Sequence, residues 1–284
     1  MTDFPAHTLV NVPDHVFLKG RCQVIVRIDK TSPIKKITTH YKKRLHCFQA
    51  SHEILKHTAS LESLADYKIR ITLKASGLAA ITDHEELLRQ TRPVFLVPLD
   101  KNTIKCINFA TGLNFPVHIV AETSSDKNRV LKKVLEFYLH NPLLTVPIEP
   151  LHTLIQTTAR GAGFNLWDTE LENWKSDFFV SDRLRVSLSG RWLDQKKSYG
   201  DTTDTWKKIT ASKLYQHHAN YKQNLFKQKS PCVFCPHLAP CGAYLRALKP
   251  DKPCEHWKET FKKLEAEGLK AKKLIKKYEA QETL

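Results

Sequence analysis

The sequence has no apolar run near the about eighteen residues that a membrane-spanning helix requires. Its opening, MTDFPAHTLVNVPDHVF, lacks the positive start and long apolar stretch of a secretory leader. These absences set a cytoplasmic, reducing location as the expectation, with no membrane span. Three catalytic signatures are also missing: a glycine-rich phosphate loop, a nucleophile elbow and a paired-histidine metal motif. Acidic residues are few beside basic ones, 29 against 45, which leaves a formal net charge of +16. An excess of that size points to an acidic partner: nucleic acid, an anionic membrane surface, an acidic peptide or an acidic protein. The plain alternative is that the lysines keep the chain soluble.

What is there is an alternation of short strand-like and helix-like segments, with no other repeat. Residues 1–18 carry Pro5 and Pro13 and read as an irregular lead-in. Strands are predicted over 21–28, 67–73, 93–98, 116–121 and 143–148 from β-branched or alternating runs. Between them, 29–43 reads as a loop or weak helix. Residues 46–65 read as a helix with Phe48, Ile54, Leu55, Leu61 and Leu64 on one side. Residues 83–89 and 103–110 give two more short helices, and 126–140 a strong one, capped by Ser124 or Ser125. Strands alternating with helices imply an α/β chain of parallel βαβ units. Four or five units are too few for a closed eight-stranded barrel, so an open partial barrel or a short doubly wound sheet is expected.

After about residue 150 the pattern changes. A helix over 151–160 runs into the flexible Gly161-Ala162-Gly163. Residues 177–180 and 183–187 predict an antiparallel hairpin around Ser181-Asp182. Helices follow over 204–210 and 212–227. The tail, 255–280, is a lysine-rich helix interrupted by Gly268, with Trp257, Phe261, Leu264, Leu274 and Ile275 able to dock on the body.

Four of the seven cysteines fall in the stretch PCVFCPHLAPCGAYLRALKPDKPC. Cys232, Cys235 and Cys241 form a C-x2-C-x5-C run, and Cys254 follows after twelve more residues. Disulfides are disfavoured in a reducing compartment. Zinc suits four thiolates and a C-x2-C knuckle, but zinc ribbons generally use two such pairs. Three close thiolates and a distant fourth suit the corners of an iron–sulfur cube. Prolines at 231, 236, 240 and 253 stiffen the loop, and Gly242 lets the backbone pass close to a cluster. From spacing alone iron–sulfur, zinc and a ligand-free loop all stay open, in that order. Cys22, Cys47 and Cys106 are isolated and read as small buried or half-buried residues.

Residues 176–254 resemble the SPASM domain found at the C-terminus of many radical SAM enzymes that modify ribosomally made peptides. DFFVSDRLRVSLSGRWLDQ is similar to the hairpin that opens such domains. SYGDTTDTWKKITASKLYQHHANYKQ, with Trp206, is similar to their Trp-centred helical segment, and SPCVFCPHLAPCGAYLRAL to their C-x2-C-x5-C-G signature. The resemblance implies that Cys232, Cys235, Cys241 and Cys254 bind one auxiliary [4Fe-4S] cluster, with zinc as the alternative metal. A second cluster would need cysteine at Leu245 and around the hairpin, where Ser187, Ser189 and Trp192 stand instead. The stretch 21–148 resembles a shortened, degenerate radical SAM barrel, but the C-x3-C-x2-C motif that binds the catalytic cluster is missing.

The expected organisation is therefore a lead-in over 1–18, a partial βα barrel over 19–160, a SPASM-like α+β iron–sulfur domain over 161–257 and a basic helix over 258–284. The implied role is an accessory protein beside a radical SAM enzyme in ribosomal peptide maturation. It would bind an acidic precursor peptide or the enzyme, relay electrons or hold its own loops together, and have no independent activity. A second reading is a zinc- or cluster-stabilised basic module that binds nucleic acid through its lysines and through Trp192, Trp206, Tyr215 and Tyr221. A hydrolase or transferase reading would use Glu122, Glu149 and His152, with His217 and His218 expected to be solvated.

Overall fold

In a computed structural model the chain is described over residues 2–121, 125–161, 165–248 and 254–282. It is α/β, and its described strands are mostly parallel: β1 (Leu9–Pro13), β2 (Gln23–Ile28), β3 (Leu45–Ser51), β4 (Ile69–Thr72), β5 (Val94–Val97), β6 (Val117–Ile119), β7 (Ile148–Glu149), β8 (Asp177–Val180), β9 (Arg185–Ser187) and β10 (Gly200–Asp201). The chain divides into two compact units, each made from two stretches: 1–95 with 171–230, and 96–170 with 231–284. The predicted hairpin and the cysteine stretch thus fall in different units.

In the first unit the strand order is β10-β9-β8-β1-β2-β3-β4. The run from β8 through β1, β2 and β3 to β4 is parallel. Only β9 runs antiparallel, against β8 and β10. Valines and isoleucines fill β2 and β4, and Val24, Val26, Ile69 and Ile71 are buried, as parallel strands covered by helices require. Polar residues near the strand ends bond to one another. The Arg27 guanidinium donates to the Asn11 side chain at 2.8 Å and to the Val180 carbonyl at 2.6 Å, and stacks over Phe179. Asn11 in turn donates to Gln49 at 2.8 Å, which joins β1, β2, β3 and β8.

In the second unit β6 pairs parallel with β7, and the Val120 N–H donates to the Val97 carbonyl. Four long helices belong to this unit: Thr103–Gly112, Ser125–His140, Leu151–Arg160 and Glu255–Glu282. The last buries Trp257, Phe261 and Leu264. Lys263 ties it to Glu136 of the helix Ser125–His140 at 2.5 Å.

Several sequence expectations change. The lead-in contains β1, which lies between β2 and β8; prolines at its flanks hid a strand of five residues. Residues 46–65 do not form one helix. They form β3, a 3-10 turn over His52–Lys56 and a short helix Thr58–Glu62. Phe48, Ile54, Leu55, Leu61 and Leu64 are buried as expected, but pairing with β2 and β4 overrode the helical spacing. The strand predicted over 143–148 shrinks to Ile148–Glu149, and Leu143 is exposed. Residues 29–43 hold a helix at Ile34–Tyr41. Ser124, one of the two predicted caps, and the Ala162-Gly163 break lie outside the described residues.

Gly268 does not interrupt the tail, which is one helix through Glu282. A Cβ there would stand 2.5 Å from Thr158 Cβ and 2.9 Å from the Ile155 carbonyl, so glycine lets two helices approach. Leu274 and Ile275, expected to dock, are 56% and 41% exposed. His218 is also corrected: it is 1% exposed, against Trp192 and 2.7 Å from the Tyr199 hydroxyl at Nδ1, whereas His217 is exposed.

Gly268→Val should destabilise the protein by roughly 1–3 kcal/mol, read as a lower urea midpoint, because Thr158 and the backbone cannot both retreat; an unchanged midpoint would contradict the close approach. Burial lowers the His218 pKa to about 4, below the about 6.5 of an unfolded histidine. The unfolded chain then binds more protons than the folded one between these values. The contribution is full above about pH 6.5 and fades as pH falls towards 4, by up to about 3 kcal/mol. Urea melts across this range should show the loss in the natural protein and a shallower slope in His218→Phe.

Candidate metal centre

The cysteine stretch opens with a 3-10 turn, Pro231–Phe234, that buries Cys232. The Cys235 N–H donates to the Cys232 carbonyl at 3.1 Å, and the Leu238 N–H to the Cys235 carbonyl at 3.0 Å. A short helix, Leu238–Cys241, ends at Gly242 in the left-handed conformation, φ 59°. This reversal sends the chain into the helix Tyr244–Leu248. A Cβ on Gly242 would lie 2.7 Å from Trp167 Cδ1, and the Trp167 indole N–H donates to the Gly242 carbonyl at 2.9 Å. Tyr244 meets the same indole edge-on at 5.0 Å. The turn after Cys241 is therefore locked by an aromatic side chain from residues 166–169, a support that the spacing of cysteines does not reveal.

The fourth cysteine, Cys254, stands immediately before the helix Glu255–Glu282, and the Lys258 N–H donates to its carbonyl. A thiolate at this position gains from the helix macrodipole. Cys232, Cys235, Cys241 and Cys254 all line one pocket with about 330 Å³ of space, its open mouth included. Leu238, Ala243, Leu245, Trp257 and Phe261 supply its apolar walls. Arg246, the cation that the sequence places beside the loop, lines it together with Lys258, and so does His237, which the sequence marks only by its place inside the cysteine loop.

Burial pushes the Cys241 thiol up to about 12, against an N–H from Leu245 that lowers it; the other three cysteines raise it further. Cys254 is also raised by burial, partly offset by Lys258 and Arg246. Deprotonation of Cys241 is thus opposed by burial and by the neighbouring cysteines. Among the described residues, no group of three or more His, Cys, Asp or Glu side chains is placed to hold a metal ion.

The remaining candidates lie elsewhere. Cys22, Cys47 and Cys106 are buried, and burial raises all three thiols, Cys47 to about 11. Glu149 accepts the Thr153 N–H, and His152 bonds Tyr138 and Gln156, so both serve the helix Leu151–Arg160. Glu122 lies outside the described residues. Ser187 donates to the Lys197 carbonyl, and the Trp192 indole to buried Glu172. Leu245 is buried beside Cys241. Trp206 and Tyr215 pack on each other and on Phe178 and Tyr199, and Tyr221 is buried, so these aromatics are not presented for base stacking. No helix of the described residues is long and apolar enough to cross a membrane.

Gly242→Ala should lower stability by roughly 1–3 kcal/mol, since it combines a left-handed backbone with a clash on Trp167. The companion change Trp167→Ala removes Cδ1 and with it the clash, but also loses the bond to the Gly242 carbonyl. Chemical denaturation of the two single variants and the double variant checks this: the double variant should be less destabilised than the sum, and strict additivity would refute the coupling. A scan against known protein-family models and a search of characterised proteins both give no match to this chain.

Proposed function

We propose that the protein binds one [4Fe-4S] cluster through Cys232, Cys235, Cys241 and Cys254 and acts as an accessory partner of a radical SAM enzyme in ribosomal peptide maturation. The observation that carries the reading is that all four cysteines line one pocket, although Cys254 comes from a different element. When bound, such a cluster supplies one-electron transfer or simply cross-links the loops that hold it. The protein's part is to order the ligands and tune them. The Leu245 N–H points at Cys241, while Arg246 and Lys258 place positive charge near Cys254. Both features stabilise thiolate and favour the more reduced state. Trp257 and Phe261 keep the inner wall dry.

The partner assignment rests on the SPASM resemblance of 176–254, on the missing C-x3-C-x2-C motif and on the +16 charge, which favours an acidic peptide. Packing of Trp192, Trp206, Tyr215 and Tyr221 within the first unit argues against the nucleic-acid reading.

Anaerobic purification should give a brown protein with absorbance at about 400 nm and about four irons per chain. Cys241→Ala and Cys254→Ala should each lose most of the iron. A colourless protein holding a single zinc would overturn the cluster assignment. Co-purification with a radical SAM enzyme, and a gene for one beside this one, are expected; finding neither would remove the accessory role.

A further inference from the structure

A second feature of the 96–170 and 231–284 unit stands apart from the cysteine pocket. After β5 the chain turns at Pro98–Leu99–Asp100 into the helix Thr103–Gly112, and this turn faces the early turns of the helix Ser125–His140. Between them lies a groove with about 1430 Å³ of space, its open side included. Four cations rim it: Lys101, Lys127, Arg129 and Lys133. Leu99, Ile104 and Val130 form its apolar base.

The local balance of charge is lopsided. Among the described residues, none of Lys101, Arg129 and Lys133 forms an ion pair. The one carboxylate of the lining, Asp100, accepts the Asn102 N–H at 2.7 Å and so is engaged in its own turn. Lys127 and Arg129 also sit in the first turns of their helix, where the macrodipole disfavours cations. Helix stability does not explain them. An anionic occupant does.

The base selects among anions. Inorganic phosphate or a phosphate ester gains nothing from Leu99, Ile104 and Val130. A nucleic acid strand would look for aromatic platforms, and none of the lining residues is aromatic. A peptide with carboxylates flanking an apolar side chain matches both the rim and the base. We propose that this groove is the docking site for an acidic, apolar-anchored peptide segment. The proposal takes the class of partner from the function proposed above, and takes its location from the groove alone.

The test uses the full chain and a fluorescent synthetic peptide in which glutamates flank leucines, followed by polarisation. Binding should weaken as salt rises. The double variant Arg129→Glu/Lys133→Glu should weaken binding roughly tenfold or more, with its thermal midpoint close to the natural one. Ile104→Asn should weaken it as well, with the salt dependence kept. The control pair Lys273→Glu/Lys277→Glu, which changes net charge equally on the tail helix, should leave binding unchanged. Equal loss in the control pair, equal binding of a glutamine-for-glutamate peptide, or tighter binding of a single-stranded oligonucleotide at the same groove residues would each overturn the proposal. Iron measured on the same samples separates the two readings: iron without peptide binding sinks the groove, and peptide binding without iron sinks the cluster.

Discussion

The second unit is organised by the cost of putting four thiols in one largely apolar pocket. Burial pushes the Cys241 thiol up to about 12, with its three neighbouring cysteines adding to the rise, and burial raises Cys254 as well. The surroundings are built to keep the four positions available. Gly242 turns in the left-handed region, Trp167 clamps its carbonyl, Tyr244 braces the indole, and the long terminal helix begins directly after Cys254.

The terminal helix serves the pocket through packing as well as through Cys254. Trp257 and Phe261 wall the pocket, and one turn further on Leu264 is buried. Gly268 then allows contact with the backbone of the helix Leu151–Arg160. Beyond Gly268 the helix turns lysine-rich and its apolar side chains are exposed, so its first half carries the structural role. The cationic groove uses different helices of the same unit from those that line the cysteine pocket.

In the first unit, the parallel run from β8 to β4 gathers its polar residues near the strand ends. Arg27 is held by Asn11, Val180 and Phe179, and burial lowers its pKa to about 10. A cation so fully engaged is a cross-link between strands. Outside the strands, buried His218 is paired with Tyr199, and buried Glu172 with Arg191 and Trp192. Burial of such groups is tolerated because each has partners.

Much of the architecture was legible in residue order. β2, β4, β5 and β6, the hairpin β8–β9 and the helices over 103–112, 125–140 and 151–160 follow from local runs and periodicity. The candidate ligands were legible too, because cysteine clustering does not depend on packing. The sequence alone determined the α/β class, the positive charge and the four thiols. Only tertiary structure decided that 9–13 is a strand between two others, that 45–51 pairs as β3, and that Gly268 is a contact point. It also decided that Trp167 supports the turn after Cys241 and that Lys101 meets Lys127, Arg129 and Lys133. The physical reason is the same throughout: pairing and close approach are set by partners distant in the chain, which local propensity cannot see.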